Sequence, residues 1–297
     1  MKSPLLCLPL LHLIFLIGCS PHKSEQPQST RSATDDLART VALPAPPNRI
    51  ISLAPSITET LFALRLDSAV VGVTDYCDFP DAARAKTRIG GMTSPDFETI
   101  IGLHPDLIVM TTAGNARKDF EKLTALGLTV FVSNPATLED IYRSILAVGR
   151  LCDRVNEGTA IVEQLRSKQE VIVRIAAGSQ PQTVLLLLSL RPLVSAGKGT
   201  FVDELLTLGN LRNMVHDSPT SYPLISREEV LSRQPDWIIV SDEVAQSIEE
   251  VTTAYPEWKT LRAIREGRVV SVGASLISRP GPRIIEGLEA LVNATRP

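Results

Sequence analysis

One short segment occurs twice in this chain, and that repeat constrains the fold more than any single motif. Glu98-Thr99-Ile100-Ile101 runs into Pro105-Asp106-Leu107-Ile108-Val109, and Glu228-Glu229-Val230-Leu231 runs into Pro235-Asp236-Trp237-Ile238-Ile239. The spacing from Glu to Pro-Asp is the same in both. Each copy reads as a helix, a Pro-Asp turn and an apolar strand that must be buried. Both helices carry start signals: Ser94-Pro95 as cap and first helical residue in one, Ser226 with Glu229 as a capping box in the other. A repeat of this kind predicts two lobes of related build.

The rest of the pattern agrees. Apolar runs at Ile50–Leu53, Val70–Val73, Leu107–Met110 and Val130–Val132 are expected strands in the first half. Helical segments lie between them, with Ser56-Ile57-Thr58-Glu59 read as a capping box opening a helix over 58–66. Strands at 184–188, 237–240 and 269–272 and helices at 201–208, 227–233 and 282–293 form a second series. Strand–helix alternation predicts an α/β fold with two parallel sheets flanked by helices. Residues 159–177 lack Gly and Pro and favour helix, roughly 28 Å long at 1.5 Å per residue. They predict one long rigid interdomain helix. The expected division is an N-terminal lobe over 48–153, a connecting helix over 154–180 and a C-terminal lobe over 181–297.

The N-terminus reads as a processing signal. Lys2 supplies a positive start and Leu5–Ile17 an apolar stretch too short to span a membrane. It ends in Leu16-Ile17-Gly18-Cys19, the pattern of a lipoprotein signal peptide over 1–19 with Cys19 as the lipidated residue. Residues 20–47 are expected to form a tether, because 20–38 are rich in Ser, Gln and Pro without apolar period. The protein is therefore placed in the periplasm or at the cell surface, in membrane contact through the anchor. Cys77 and Cys152 remain in the exported part and could pair, though their spacing does not derive a bridge.

Composition excludes some functions. A net charge of −3 and 4% aromatic residues give no nucleic-acid surface. Gly197-Lys198-Gly199-Thr200 faintly resembles a phosphate loop, but Pro192 stands where the first Gly belongs and Gly199 where Ser or Thr belongs. No spaced Cys/His set or nucleophile elbow occurs, so neither a metal site nor catalytic residues are assigned.

In parallel α/β sheets ligands sit beyond the carboxyl ends of the strands, and two facing lobes bring these ends into one cleft. The candidate loops are 54–56, 74–78, 111–115, 189–191 and 275–279. They carry Arg49-Ile-Ile-Ser-Leu-Ala-Pro-Ser56-Ile-Thr-Glu59, Val71-Gly-Val-Thr-Asp-Tyr76-Cys-Asp-Phe-Pro80, Gly90-Gly91-Met92 and Arg279-Pro-Gly-Pro-Arg283. With His104-Pro-Asp-Leu-Ile-Val109 and Ser226-Arg-Glu-Glu-Val-Leu231, these stretches resemble the cobalamin-binding periplasmic proteins of ABC importers over roughly residues 48–297. The wider group also binds ferric siderophores and haem.

The resemblance implies a monomeric carrier with no covalently bound cofactor and no catalysis. It would capture cobalamin or another corrinoid and deliver it to a permease–ATPase complex in the inner membrane. Tyr76 matches an aromatic that packs on the corrin, and Arg279 a basic residue reaching the ligand's rim. Gly91, Met92, Asn115, Ser275 and Arg191 complete the candidate ligand contacts. Relatives can carry tryptophans near Gly91 and Thr112 and an acid at Ser275, so a less aromatic pocket is expected here. Glu98 and Glu228 match acidic residues, one per lobe, that dock onto the permease. A ferric-siderophore or haem carrier is the alternative reading, with Arg191 and Arg279 as available cations. A surface enzyme or adhesion module is the reading from a different class.

Overall fold

The computed structural model describes residues 31–296. The proposed leader, Cys19 and the first part of the expected tether lie outside the described residues. Residues 31–43 correct that tether. They form a β-hairpin, β1 (Arg31–Thr34) and β2 (Thr40–Leu43), whose Ala33, Val41 and Leu43 are buried. Buried Asp35 closes the turn by accepting from the backbone N–H of Leu37 and Arg39, and it also accepts from Val132 N–H.

The first lobe is built on a five-stranded parallel sheet, ordered β5-β4-β3-β6-β7. Its strands are β3 (Ile50–Ser52), β4 (Val70–Val73), β5 (Thr87–Arg88), β6 (Leu107–Met110) and β7 (Val130–Val132). Helices α1 (Pro55–Ala63), α2 (Phe97–Gly102), α3 (Arg117–Ala125) and α4 (Leu138–Leu151) flank it. Both faces are covered, as the apolar runs require. Leu107 and Val109 join one buried cluster, while Ile108 and Met110 point the other way into a second.

Helix α5 (Val155–Ala177) then crosses to the second lobe. Its 23 residues make it about 34 Å long. It packs on α4 of the first lobe. There Tyr142 donates to Gln169 at 2.7 Å and Arg166 pairs with Glu139 at 2.6 Å. It also packs on α11 (Ile284–Ala294) of the second lobe, where Lys168 meets Glu289 at 2.7 Å. Gly149 permits the tight α4–α5 junction, since a Cβ there would stand 2.8 Å from Arg154 O.

The second lobe has strands β8 (Gln182–Leu190), β9 (Leu193–Ser195), β10 (Leu211–Asn213), β11 (Trp237–Ser241) and β12 (Val269–Val272). The order β10-β8-β11-β12 is parallel, and β9 folds back antiparallel on β8. Helices α6 (Phe201–Leu208), α7 (Arg227–Arg233), α8 (Ile248–Ala254), α9 (Arg262–Arg265) and α10 (Ala274–Ile277) surround the sheet.

The sequence repeat is a structural repeat. Asp106 accepts from Asn48 N–H and Arg49 N–H at 2.8 and 2.9 Å, and its own N–H donates to Arg49 O at 2.8 Å. Asp236 accepts from Thr183 N–H at 2.9 Å and donates back to Thr183 O at 2.8 Å. In each lobe, then, the Pro-Asp turn clamps the start of its strand to the start of that lobe's first sheet strand.

Local details depart from expectation. Helix α1 begins at Pro55 with Ala54 as cap and no side-chain cap bond, so the Ser56–Glu59 capping box does not form. Asp96, not Ser94, caps α2, accepting from Glu98 N–H and Thr99 N–H. Ser226 does cap α7, but Glu229 turns to Arg233 at 3.1 Å. Cys77 and Cys152 are both buried and unpaired.

Candidate functional site

The strand orders place a switch point in each sheet. In the first lobe the chain leaves β3 toward β4 on one side and leaves β6 toward β7 on the other. In the second, β8 and β11 play these parts. Loops diverge at such points and leave a crevice. The two crevices meet in one cleft of about 630 Å³, within the range of small-molecule sites.

The first lobe lines this cleft with the loop after β3 (Ala54 to Ser56), Tyr76 after β4, Met92, the loop after β6 (Thr111 to Ala113) and the loop after β7 (Asn134 to Ala136). The second lobe adds Leu188 of β8, residues 199–202 at the start of α6, Ser221 and Tyr222, Glu243 after β11, and residues 277–280. Tyr76 is 62% exposed and Tyr222 55% exposed, so neither ring plugs its own lobe. Tyr76 from the first lobe and Tyr222 from the second therefore border the cleft with more than half of their surface exposed, beside the buried Phe201. Gly91 lies beneath the edge of Tyr76, where an added Cβ would stand 3.7 Å from Cε2.

Asn115 holds the first-lobe wall together. Its side-chain amide donates to Leu53 O at 3.1 Å and Met92 O at 2.8 Å, and its Oδ1 accepts from Thr111 N–H at 2.9 Å. Its side chain is thus committed to tying three loops together, and it is absent from the residues lining the cleft.

Arg279 reaches the cleft floor, but its charge is spent there. Its Nη1 donates to Glu59 Oε1 at 3.1 Å and to Asp78 Oδ1 at 2.6 Å, both across the lobe boundary. Partial burial pushes the Arg279 guanidinium down, and the two carboxylates overcome this and hold it above its ordinary value. Partial burial pushes Asp78 up, and the Arg279 hydrogen bond and charge bring it below the usual carboxylate range. Arg283 makes a parallel fork to Glu59 and stacks over Phe79 at 3.9 Å. Two guanidiniums and two carboxylates form a neutral cluster that seams the lobes.

Two expected contacts lie elsewhere. Ser275 sits in α10, while the cleft in that region is lined by residues 277–280. Arg191 borders a separate shallow depression with Ser226, Arg227, Glu228 and Tyr255, because the β8–β9 hairpin turns it away from the cleft. Sequence reasoning missed Tyr222 and Glu243. Tyr222 sits in an irregular segment after β10 with no periodicity to mark it, and Glu243 follows a strand whose loop offers no motif. Glu98 and Glu228 are exposed in the first turns of α2 and α7, the equivalent helices of the repeat. Among the described residues, no three His, Cys, Asp or Glu side chains gather to hold a metal.

Comparison with known proteins agrees with the two-lobed fold. Residues 50–276 match the periplasmic binding protein family. A vitamin B12-binding protein of Vibrio cholerae is 30% identical over 250 residues, 84% of this chain and 89% of its own length. One from Photorhabdus laumondii is 31% identical over 251 residues, 84% and 88% of the two chains. The crystal structure of the periplasmic vitamin B12 binding protein BtuF of Vibrio cholerae superposes with a TM-score of 0.74 at 29% identity, covering 84% of this chain and 97% of that one. A periplasmic haem binding protein from Pseudomonas aeruginosa gives 0.76 at 25% identity, covering 84% and 92%.

Proposed function

The chain belongs to the periplasmic binding protein family, and from that premise we infer that it captures cobalamin or a related corrinoid in the interlobe cleft and delivers it to an importer. Its group includes binding proteins for vitamin B12 and haem. The observation that carries the choice of ligand is the pairing of Arg279. An anionic siderophore or a haem with two propionates needs unspent cations in the cleft. Among the described residues, the single cation lining this cleft already serves Glu59 and Asp78.

A neutral, flat macrocycle suits what remains. Tyr76 and Tyr222 offer an aromatic surface from each lobe, and flat ligands pack on such rings. Ser56, Thr112 and Ser221 offer hydroxyls and Asn134 its amide NH2 for a rim of carboxamides, whereas the Thr111 and Ser278 hydroxyls already donate to Asn134 Oδ1 and Ala274 O. Met92 adds a pliable apolar contact. No step of chemistry is assigned to the protein: it binds, shields and releases.

Delivery rests on Glu98 and Glu228, which we assign to docking on a permease. Two acids at repeat-related positions give a two-point contact that sets orientation and on-rate. Cleavage before Cys19 and its lipidation would anchor the protein as a monomer at the membrane, with the residues between it and the hairpin as the tether. The test is calorimetric titration of the folded domain with cyanocobalamin, haemin and a ferric siderophore. Submicromolar binding of cyanocobalamin alone supports the reading. Tight binding of haemin or the siderophore without cobalamin overturns the choice of ligand and leaves the family role.

A further inference from the structure

Among the described residues, two charged side chains line the cleft, Arg279 and Glu243. Arg279 is neutralised where it stands. Glu243 is exposed, and among the described residues no cation pairs with it and no hydrogen bond holds its carboxylate. It follows β11, one of the two strands at the second lobe's switch point, so its loop is among those that open directly onto the cleft.

The backbone carrying it is fixed. Asp242 N–H donates to Val272 O at 3.0 Å, and its carboxylate accepts from Ala274 N–H at 2.8 Å. Val244 and Ala245 N–H both donate to Ser241 O, at 2.9 and 3.1 Å. Ser271 Oγ donates to Ala245 O at 3.2 Å. The turn is thus tied to the neighbouring strand end and holds the Glu243 backbone at a fixed place beside the cleft.

We propose that Glu243 is a specificity-determining residue that filters ligands by charge: it rejects an otherwise matching ligand carrying a carboxylate at the adjoining edge and accepts one carrying a carboxamide there. The inference rests on the corrinoid reading above and names which corrinoids the site takes. A carboxamide N–H can donate to the carboxylate, whereas a carboxylate in the same place is repelled and leaves both groups without a donor. Even with the ligand carboxylate swung back to about 8 Å, two unit charges in a half-wet cleft give roughly a fivefold change in affinity, the smallest gap expected.

The probes are cyanocobalamin and its monocarboxylic acid derivatives, in each of which one propionamide is hydrolysed to propionate while shape is kept. They are titrated at neutral pH into the folded wild-type domain, Glu243→Gln and Glu243→Lys. At least one acid derivative should bind wild type about fivefold or more weakly than cyanocobalamin. Glu243→Gln should shrink that gap to within twofold, roughly, and Glu243→Lys should reverse its sign. A gap of equal size in all three proteins, or no gap for any derivative, overturns the inference and leaves the corrinoid reading intact. Wild type that binds neither cyanocobalamin nor any derivative overturns both. Because Glu243 is exposed and bonded to nothing in the fold, equal thermal midpoints for the three proteins confirm that the comparison is between native states.

Discussion

Glu59 of the first lobe and Arg283 of the second are joined by two parallel hydrogen bonds, Nε to Oε2 at 2.9 Å and Nη2 to Oε1 at 2.7 Å. The Glu59 side chain is 2% exposed and that of Arg283 16%. A buried fork of this kind adds little net stability over an apolar pair, but its rupture from one side strands charge. Glu59→Gln leaves Arg283 and part of Arg279 without a counter-charge. It should cost about 3 kcal/mol, read as a lower denaturation midpoint in urea. A change under about 0.5 kcal/mol would show that water reaches and solvates the seam. Arg283→Lys should be intermediate, because an ammonium keeps the charge and loses the fork.

Asp78 links the same seam to pH. Partial burial pushes its carboxyl up, and the hydrogen bond and charge of Arg279 outweigh this and bring it below the ordinary 3.8. A carboxyl depressed in the folded state contributes stability that is present above its unfolded value and lost as pH falls through the folded one. Stability of the wild type should therefore decline as pH drops below about 4. Asp78→Asn should flatten that acid limb while leaving its neutral-pH slope unchanged. An identical acid limb in both proteins would remove Asp78 from the seam's energetics.

The seam also marks where the sequence was legible and where it was not. The sheet strands were readable because buried parallel strands must be continuous apolar runs, as in Leu107 to Met110 and Val184 to Leu187. The hairpin at 31–43 was not, since three small or medium apolar residues among polar ones give little signal. Ser56 and Glu59 have capping-box spacing, yet Pro55 takes the first helical position and Glu59 finds two arginines more than two hundred residues away. Local rules cannot anticipate a partner that only tertiary packing supplies. The same holds for Arg191, which follows a strand as a cleft residue should but is turned aside by the β8–β9 hairpin.

The two tyrosines can be tested separately from the fold. Each is more than half exposed, so truncation should leave stability within about 0.5 kcal/mol. Tyr76→Ala and Tyr222→Ala should each weaken cyanocobalamin binding about tenfold by calorimetry, the worth of an aromatic face on a macrocycle. Unchanged affinity in either variant would remove that ring from the site.

The two thiols among the described residues should be inert in the folded domain. Cys77 and Cys152 are buried and unpaired. Burial pushes the Cys152 thiol up to about 12, far from a reactive thiolate at neutral pH. A chromogenic disulfide reagent should titrate neither thiol in buffer and both in denaturant. Fast reaction in buffer would mean that the first lobe opens locally.

Docking and capture should be separable. Glu98 and Glu228 are exposed at helix starts, where each contributes at most a modest dipole term. Neither lines the cleft, so Glu98→Ala combined with Glu228→Ala should bind cyanocobalamin as the wild type does. Uptake through a reconstituted permease should fall, and the defect should persist at saturating ligand, because it lies in the encounter of two proteins and not in capture. It should also shrink as ionic strength rises, since salt screens the wild type's steering advantage over the variant. Normal transport by the double variant at low salt would show that the acids only stabilise α2 and α7.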